Sequence, residues 1–96
     1  MGQFVSVTNV NGSGRFTAPA GYTSWLDYWE KKTGKKVSVC GVKNCDGADL
    51  VGAHVQKAYS TDKKWYITPI CRSCNGKPSD EVFEVYWDLV PVPSNL

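Results

Sequence analysis

Four cysteines, arranged in two close pairs, constrain the fold of this 96-residue chain more than any other feature. Cys40 and Cys45 form the first pair, with four residues between them, and Cys71 and Cys74 form the second, with two. Thiolates at this spacing are typical zinc ligands, and two such pairs fill the four positions of a tetrahedral site. The sequence therefore predicts one structural Zn²⁺ ion bound by all four cysteines.

A chain of this length forms one domain, predicted here over residues 1–96, but its hydrophobic core is thin. Four tryptophans, five tyrosines and three phenylalanines bury large apolar areas. A structural zinc ion adds on the order of 10 kcal/mol of stability at neutral pH. We therefore expect a monomer that depends on its metal for folding.

The sequence also indicates a reducing compartment. The N-terminus lacks a basic start followed by an apolar run, and no stretch reaches the roughly 20 apolar residues of a membrane span. We expect a cytoplasmic protein without a membrane partner, and cytosolic cysteines bind metals more often than they form disulfides. The alternative, a redox pair at Cys71 and Cys74, needs a thioredoxin-like context that this chain lacks.

Charge is distributed unevenly, although the formal net charge is only +2. Residues 1–77 hold all 11 lysines and arginines with five acidic residues, and residues 78–96 hold the other four acids and no base. Such asymmetry is compatible with binding to a polyanion. The alternative is an ordinary solvated surface. The candidate nucleic-acid contacts are Lys35, Lys36, Lys63, Lys64, Arg72 and Lys77.

One helix is predicted from its capping residues. Ser24 suits the N-cap, with the Asp27 carboxylate three residues later, and Gly34 suits the end of the helix. The helix brings Trp25, Leu26, Tyr28 and Trp29 to one face, which packs in the core or, alternatively, offers a surface for stacked bases.

The remaining predicted elements are mostly strands. They cover residues 4–10, 37–40, 49–55, 65–68 and 81–90, with a turn at residues 11–14 and a β-hairpin over residues 49–68. Tyr59 and Trp65, close to two lysines of the hairpin, would suit base stacking, although hairpin aromatics pack in cores more often. The second cysteine pair is expected in the first turn of a short helix, where free backbone N–H groups stabilise thiolates.

The order of a cysteine knuckle, a hairpin and a helix with the second cysteine pair resembles a treble-clef zinc finger over about residues 37–78. Within that class, the stretches Gly52–Val55 and Ile70–Asn75 resemble the HNH (ββα-metal) endonuclease group. This resemblance implies an α+β fold, in which a small zinc-stabilised treble-clef, HNH-like ββα core carries an added N-terminal strand and helix and a C-terminal strand. The run from Trp25 to Glu30, with the hairpin, is also similar to small bacterial zinc proteins of no assigned activity.

In the HNH group a histidine activates water as a general base, while a divalent ion neutralises charge on the phosphodiester. The resemblance makes His54 that base and Asn75 a ligand of a catalytic metal separate from the cysteine-bound zinc. Two positions depart from the group's pattern. Ala53 stands where an acidic or histidine ligand is common, and Tyr66 stands where an asparagine is common.

These departures leave two function hypotheses, beside a third in which the protein is a purely structural protein–protein adaptor, which a contiguous exposed aromatic patch would favour. The main one is a small zinc-binding domain, a non-catalytic or degenerate HNH-like module that binds DNA, RNA or a protein partner. The alternative is a metal-dependent HNH-type endonuclease that uses His54 as general base, with Asp49 or Asp62 supplementing Asn75 as a metal ligand. His54 itself has three open roles: a hydrogen-bonded structural residue, a catalytic base, or a zinc ligand in place of one cysteine.

Overall fold

The computed structural model of the protein describes residues 4–10 and 17–93. Within these ranges the chain has a mixed α+β architecture, with one antiparallel sheet and two helices. The elements in chain order are β1 (Val5–Asn9), α1 (Trp25–Thr33), β2 (Leu50–Lys57), β3 (Tyr66–Cys71), α2 (Arg72–Asn75), β4 (Phe83–Val85) and β5 (Val90–Pro91). The five strands have the spatial order β4-β1-β2-β3-β5. The turn predicted at residues 11–14 lies outside the described residues.

Helix α1 begins and ends where its sequence signals predict. Ser24 Oγ accepts a hydrogen bond from the Asp27 backbone N–H at 3.0 Å, and the Asp27 carboxylate accepts one from the Thr23 N–H at 3.1 Å. Gly34 follows the last turn with a φ of 73° and donates its N–H to the Glu30 carbonyl at 2.8 Å. No helix in the described part of the chain is long and apolar enough to cross a membrane.

Strands β2 and β3 form the predicted hairpin, and the structure extends both beyond the predicted ranges. Their antiparallel register runs from the Leu50–Cys71 pair to the Val55–Tyr66 pair. Strand β3 therefore delivers Cys71 directly to the N-terminus of α2, and the four-residue helix contains Cys74. The short helix predicted around the second cysteine pair is thereby confirmed.

The strand predicted at residues 37–40 is wrong. Cys40 donates its backbone N–H to the Gly47 carbonyl at 2.7 Å, and Gly41 donates its N–H to the Pro69 carbonyl at 3.1 Å. Consecutive residues thus bond to two separate parts of the chain, so the segment cannot form a ladder with one neighbouring strand.

The single strand predicted at residues 81–90 is also wrong. The segment contains β4 and β5, which lie at opposite edges of the sheet. The chain crosses between the two edges where Trp87 packs against Trp29 of α1, with ring centroids 6.4 Å apart. An alternating pattern cannot reveal such a crossing, because each short strand keeps its own alternation.

The sheet separates two clusters of buried side chains. Helix α1 covers one face, where Trp25, Tyr28 and Trp29 pack with Ile67 of β3. The aromatic residues of α1 are therefore core residues, the first of the two roles considered for them. The opposite face carries a larger cluster that includes three of the cysteines and Val55. Because side chains alternate along a strand, His54, the residue before Val55, points toward α1.

Candidate metal centre and its surroundings

The four cysteine sulfurs converge at the end of the hairpin that lies away from its connecting loop. All four Sγ atoms lie within 4.8 Å of one another, and Cys45 Sγ is 3.8 Å from both Cys71 Sγ and Cys74 Sγ. A tetrahedral ion with metal–sulfur bonds of about 2.3 Å requires sulfurs about 3.8 Å apart. None of the four forms a disulfide. The cysteines are therefore positioned to coordinate one metal ion.

The knuckle between Cys40 and Cys45 is shaped by its backbone. Asn44 adopts a φ of 66°, a left-handed conformation that asparagine tolerates better than most residues. The backbone N–H groups of Val42 and Cys71 donate to Cys40 Sγ at 3.4 and 3.2 Å. Such donors stabilise a thiolate and orient its sulfur toward the other ligands.

The cysteine thiols differ in acidity. Burial raises the pKa of Cys40 and of Cys74, whereas a hydrogen bond from the Cys74 backbone N–H lowers the pKa of Cys71. Cys71 is therefore the most acidic of the three thiols, and Cys40 and Cys74, whose pKa is raised, lose their protons when a metal replaces them. Because these protons are released on binding, the metal affinity falls in acid.

Asn9 connects β1 to the second cysteine pair, and it was not among the predicted site residues. Its side-chain Nδ2 donates to the carbonyls of Cys74, Asn75 and Lys77 at 3.2, 3.4 and 3.0 Å. Asn9 is only 6% exposed, so its amide satisfies carbonyls at the end of α2 and just after it, and the bond to Cys74 is buried. The sequence pattern that could have identified Asn9 is a polar residue at an inward-facing strand position, two residues after the buried Val7.

His54 lies inside the core on the α1 face of the sheet. Its ring contacts Trp25 and Trp65 edge-on, with centroid distances of 4.9 and 5.9 Å, and the residue is 6% exposed. Its Nε2 atom has no hydrogen-bond partner among the described residues, and burial lowers the pKa of the imidazole. This environment favours a structural role, with aromatic contacts in place of the expected hydrogen bonds.

The structure does not bring the proposed catalytic groups together. Asp49 pairs with Arg72, whose Nε lies 3.1 Å from Asp49 Oδ2. Asp62 lies in the loop between β2 and β3, where the hydroxyl of Tyr66 donates to its carboxylate. Both carboxylates that could supplement a catalytic metal site are therefore engaged in other contacts.

Asn75 lies on the other side of the sheet from His54. The carbonyl of Asn75 accepts from Asn9, and Asn9 pairs with Val55 across β1 and β2, so α2 lies over the face that His54 does not share. Among the described residues, the four cysteines are the only group of three or more histidine, cysteine or carboxylate side chains close enough to hold a metal ion.

Most of the candidate nucleic-acid contacts are paired with acids in space. Their ion pairs are Lys35–Asp88 (2.9 Å), Lys36–Glu30 (3.5 Å), Arg72–Asp49 (3.1 Å) and Lys77–Glu81 (3.1 Å). Two of these acids come from the acidic C-terminal segment, so the charge asymmetry along the sequence is partly cancelled by folding. Lys63 and Lys64 are exposed and form no ion pair with a carboxylate in the described ranges.

An apolar groove lies beside the knuckle, lined by residues that include Phe4, Val39, Tyr86 and Trp87. The Phe4 and Tyr86 rings meet edge-on at 5.8 Å, and the Tyr86 and Trp87 rings at 5.1 Å. Phe4 and Tyr86 are each 43% exposed. The groove is thus a contiguous aromatic surface that remains open to solvent.

Comparison with protein-family models, with curated proteins and with solved structures finds no match to this chain.

Proposed function

We propose that this protein is a non-catalytic, zinc-stabilised binding module. The observation that carries the proposal is the convergence of the four cysteine sulfurs within 4.8 Å, with two pairs of sulfurs at the 3.8 Å separation that tetrahedral zinc requires. Four sulfur ligands close the tetrahedron, so no coordination position is left for a substrate or a reactive water. The metal therefore stabilises the fold and takes no part in a reaction.

The proposal includes a treble-clef arrangement derived from an HNH-like core. Its support is the element order: a knuckle with Cys40 and Cys45, the β2–β3 hairpin, and then α2 with the second cysteine pair. The HNH-like part is degenerate in this proposal, because His54 lies buried against Trp25 and shares no metal site with a carboxylate in the described residues.

Metal analysis of purified protein tests the zinc proposal. We expect one zinc and no iron per chain. Both metals suit four thiolates, but the metal proposed here is purely structural, and zinc is the one without redox chemistry. A strong chelator should abolish the near-ultraviolet circular dichroism of the buried tryptophans. Cys74→Ser should lose zinc in the same assay, whereas Ser73→Ala, at the exposed neighbouring position of α2, should keep it. Metal-free protein with an unchanged melting temperature would refute the proposal.

The partner that we propose is a nucleic acid. The support is the exposed Lys63 and Lys64, which form no ion pair within residues 4–10 and 17–93, whereas the other candidate contacts are paired with acids. Binding through such residues releases counterions and weakens as the salt concentration rises. Fluorescence anisotropy with labelled DNA and RNA at two salt concentrations tests this part, and an affinity that does not change with salt would exclude it.

A second candidate is a protein partner bound at the apolar groove beside the knuckle. The supporting observation is the open aromatic surface formed by Phe4, Tyr86 and Trp87, since such surfaces mark protein interaction sites. Selection of displayed peptides against the zinc-loaded protein tests it. Peptides that bind the Phe4→Ser/Tyr86→Ser variant as tightly as the parent protein would exclude the groove.

A further inference from the structure

We infer that the loop between β2 and β3, residues 58–65, is the contact site for single-stranded nucleic acid, with Tyr59 stacking on a base and Lys63 and Lys64 binding phosphates. This inference rests on the proposed nucleic-acid function and assigns it to one loop, which lies at the opposite end of the hairpin from the metal centre.

Tyr59 is the residue that first distinguishes this loop. It is 89% exposed, about twice the exposure of Phe4 or Tyr86 at 43% each. Its φ of 56° is a left-handed conformation that a bulky aromatic residue rarely adopts. That conformation costs on the order of 1 kcal/mol, and residues held at such a cost concentrate at functional sites. The ring has no described role in the core that would offset this cost.

The loop is ordered by its own hydrogen bonds, so the exposed ring is presented on a defined backbone. Gln56 Nε2 donates to the Lys63 carbonyl at 2.8 Å. Asp62 N–H donates to Ser60 Oγ at 3.0 Å, and Lys64 N–H donates to Asp62 Oδ1 at 2.9 Å. A preordered loop loses less conformational entropy when a ligand binds.

The charge of the loop suits a phosphate backbone. Asp62 is the only acid in residues 56–66, and its carboxylate accepts from Tyr66 and pairs with Lys57 at 3.7 Å. Its negative charge is thus already matched by Lys57. Residues 56–66 thus hold three lysines against one acid, and Lys63 and Lys64 lie on an exposed surface without an ion pair in the described ranges.

The exposed Tyr59 ring and the two nearby lysines fit single-stranded nucleic acid better than a nucleic-acid duplex or a protein. One isolated ring can stack only on a base whose face is accessible, which a duplex does not offer. A protein interface needs a contiguous apolar patch, whereas the residues beside Tyr59 are small or polar (Ala58, Ser60 and Thr61), and the other aromatic residue of the loop, Trp65, packs against His54. A stacked base flanked by phosphates matches both the ring and the two lysines.

The test uses the zinc-loaded full chain and fluorescein-labelled oligomers of deoxythymidine and of uridine, each about ten nucleotides long. Tyr59→Gly should weaken binding about tenfold or more, because base stacking on an aromatic ring is lost, while Tyr59→Phe should bind like the parent. Glycine suits the left-handed backbone, so Tyr59→Gly should fold with unchanged or higher stability. The two oligomers distinguish DNA from RNA as the source of the strand.

The lysines are tested by the salt dependence of binding. Lys63→Gln/Lys64→Gln should reduce the slope of log affinity against log salt by about 1.4, from about 0.7 for each phosphate contact on a single strand. The matched control is Lys35→Gln/Lys36→Gln, which removes two lysines already paired with Asp88 and Glu30 and should change the slope little.

Three outcomes would overturn the inference. They are unchanged affinity in Tyr59→Gly, equal loss of slope in both lysine variants, and the absence of binding to either oligomer by the parent protein. Zinc content and melting temperature measured on the same samples separate these outcomes from a failure of the zinc domain itself. If the parent protein binds and both double-lysine variants lose the same amount of salt dependence, the proposed nucleic-acid function stands. Only its assignment to this loop is then excluded.

Discussion

The side-chain amide of Asn9 donates to the carbonyl of Lys77 at 3.0 Å, which ties β1 to the segment that follows the last metal ligand. The same amide nitrogen reaches the Cys74 carbonyl at 3.2 Å. Strand β1 precedes the first cysteine by more than 30 residues, yet it holds the second cysteine pair against the sheet. The metal centre and the sheet therefore stabilise each other through one buried asparagine.

Replacing Asn9 with alanine should destabilise the zinc-loaded protein by about 1–3 kcal/mol, because the Asn75 and Lys77 carbonyls lose a donor and the Cys74 carbonyl keeps the Lys77 N–H. We also expect weaker zinc binding, since α2 positions Cys74. Urea unfolding and competition with a chromophoric zinc chelator measure the two effects. The control is Asn75→Ala, which alters an exposed side chain on the same helix; an equal effect of both substitutions would contradict the role assigned to Asn9.

Replacing Gly47 with alanine should disrupt the metal centre. An added Cβ would lie 2.8 Å from Cys71 Cβ and 2.9 Å from Cys71 Sγ, distances at which one of the groups must move. The ligand sulfur would then leave its tetrahedral position, so zinc affinity should fall at least tenfold in the same competition assay.

Gly76 provides the matched control for Gly47. A Cβ there meets only the Ser73 carbonyl, at 3.4 Å, and the Arg72 carbonyl, at 3.9 Å, and its φ of −86° is accessible to alanine. Gly76→Ala should therefore bind zinc like the parent protein. Comparable zinc loss in both variants would show that the contact with Cys71 is not the cause, and zinc binding retained by Gly47→Ala would show that the knuckle accommodates the added methyl group.

His54 should make the protein less stable in mild acid. Burial lowers the pKa of its imidazole in the folded state, so the unfolded chain binds the additional proton first. The stability that the neutral form contributes is complete above the unfolded pKa of about 6.5 and is lost as the pH falls toward the lower folded pKa. Because a single proton is involved, the free energy of unfolding falls by at most about 1.4 kcal/mol per pH unit.

The contribution of His54 can be separated from the acid sensitivity of the thiolates. The adjacent Trp25 and Trp65 rings carry no charge, so His54→Phe keeps the aromatic contacts without a titrating group. Chemical unfolding at pH 7.5 and 5.5 should show a smaller change for this variant than for the parent protein. An identical change in both proteins would mean that His54 does not titrate between those values.

The same substitution tests the endonuclease alternative. Because His54 is buried and joins no metal-binding group among the described residues, we expect no divalent-ion-dependent nicking of plasmid DNA with Mg²⁺, Mn²⁺ or Ni²⁺. Any trace activity should be equal in the parent and in His54→Phe. Nicking by the parent that disappears in a folded, zinc-loaded variant would establish the catalytic role and contradict the degenerate assignment.

The features that were predicted correctly depend on neighbouring residues. Ser24 and Gly34 mark the two ends of α1, because a capping hydroxyl and a left-handed glycine act on backbone groups only a few residues away. The hairpin and the cluster of Cys71 with Cys74 follow from alternation and from a two-residue spacing. The predicted strand at residues 37–40 was wrong because its backbone bonds depend on Gly47 and Pro69, which lie in different parts of the chain.

By itself, the sequence determined the candidate metal ligands, the amphipathic helix and the hairpin between the cysteine pairs, because each depends on local spacing and backbone preference. Only the tertiary structure decided that His54 faces α1 and that Asn9 holds the carbonyls of Cys74 and Lys77. It also decided that Lys35 and Lys77 pair with carboxylates, whereas Lys63 and Lys64 form no ion pair with a described residue. Those outcomes depend on which strands become neighbours in the β4-β1-β2-β3-β5 sheet. Strand order is set by packing across the whole molecule. The alternation of apolar and polar residues along one strand does not indicate which strands become its neighbours.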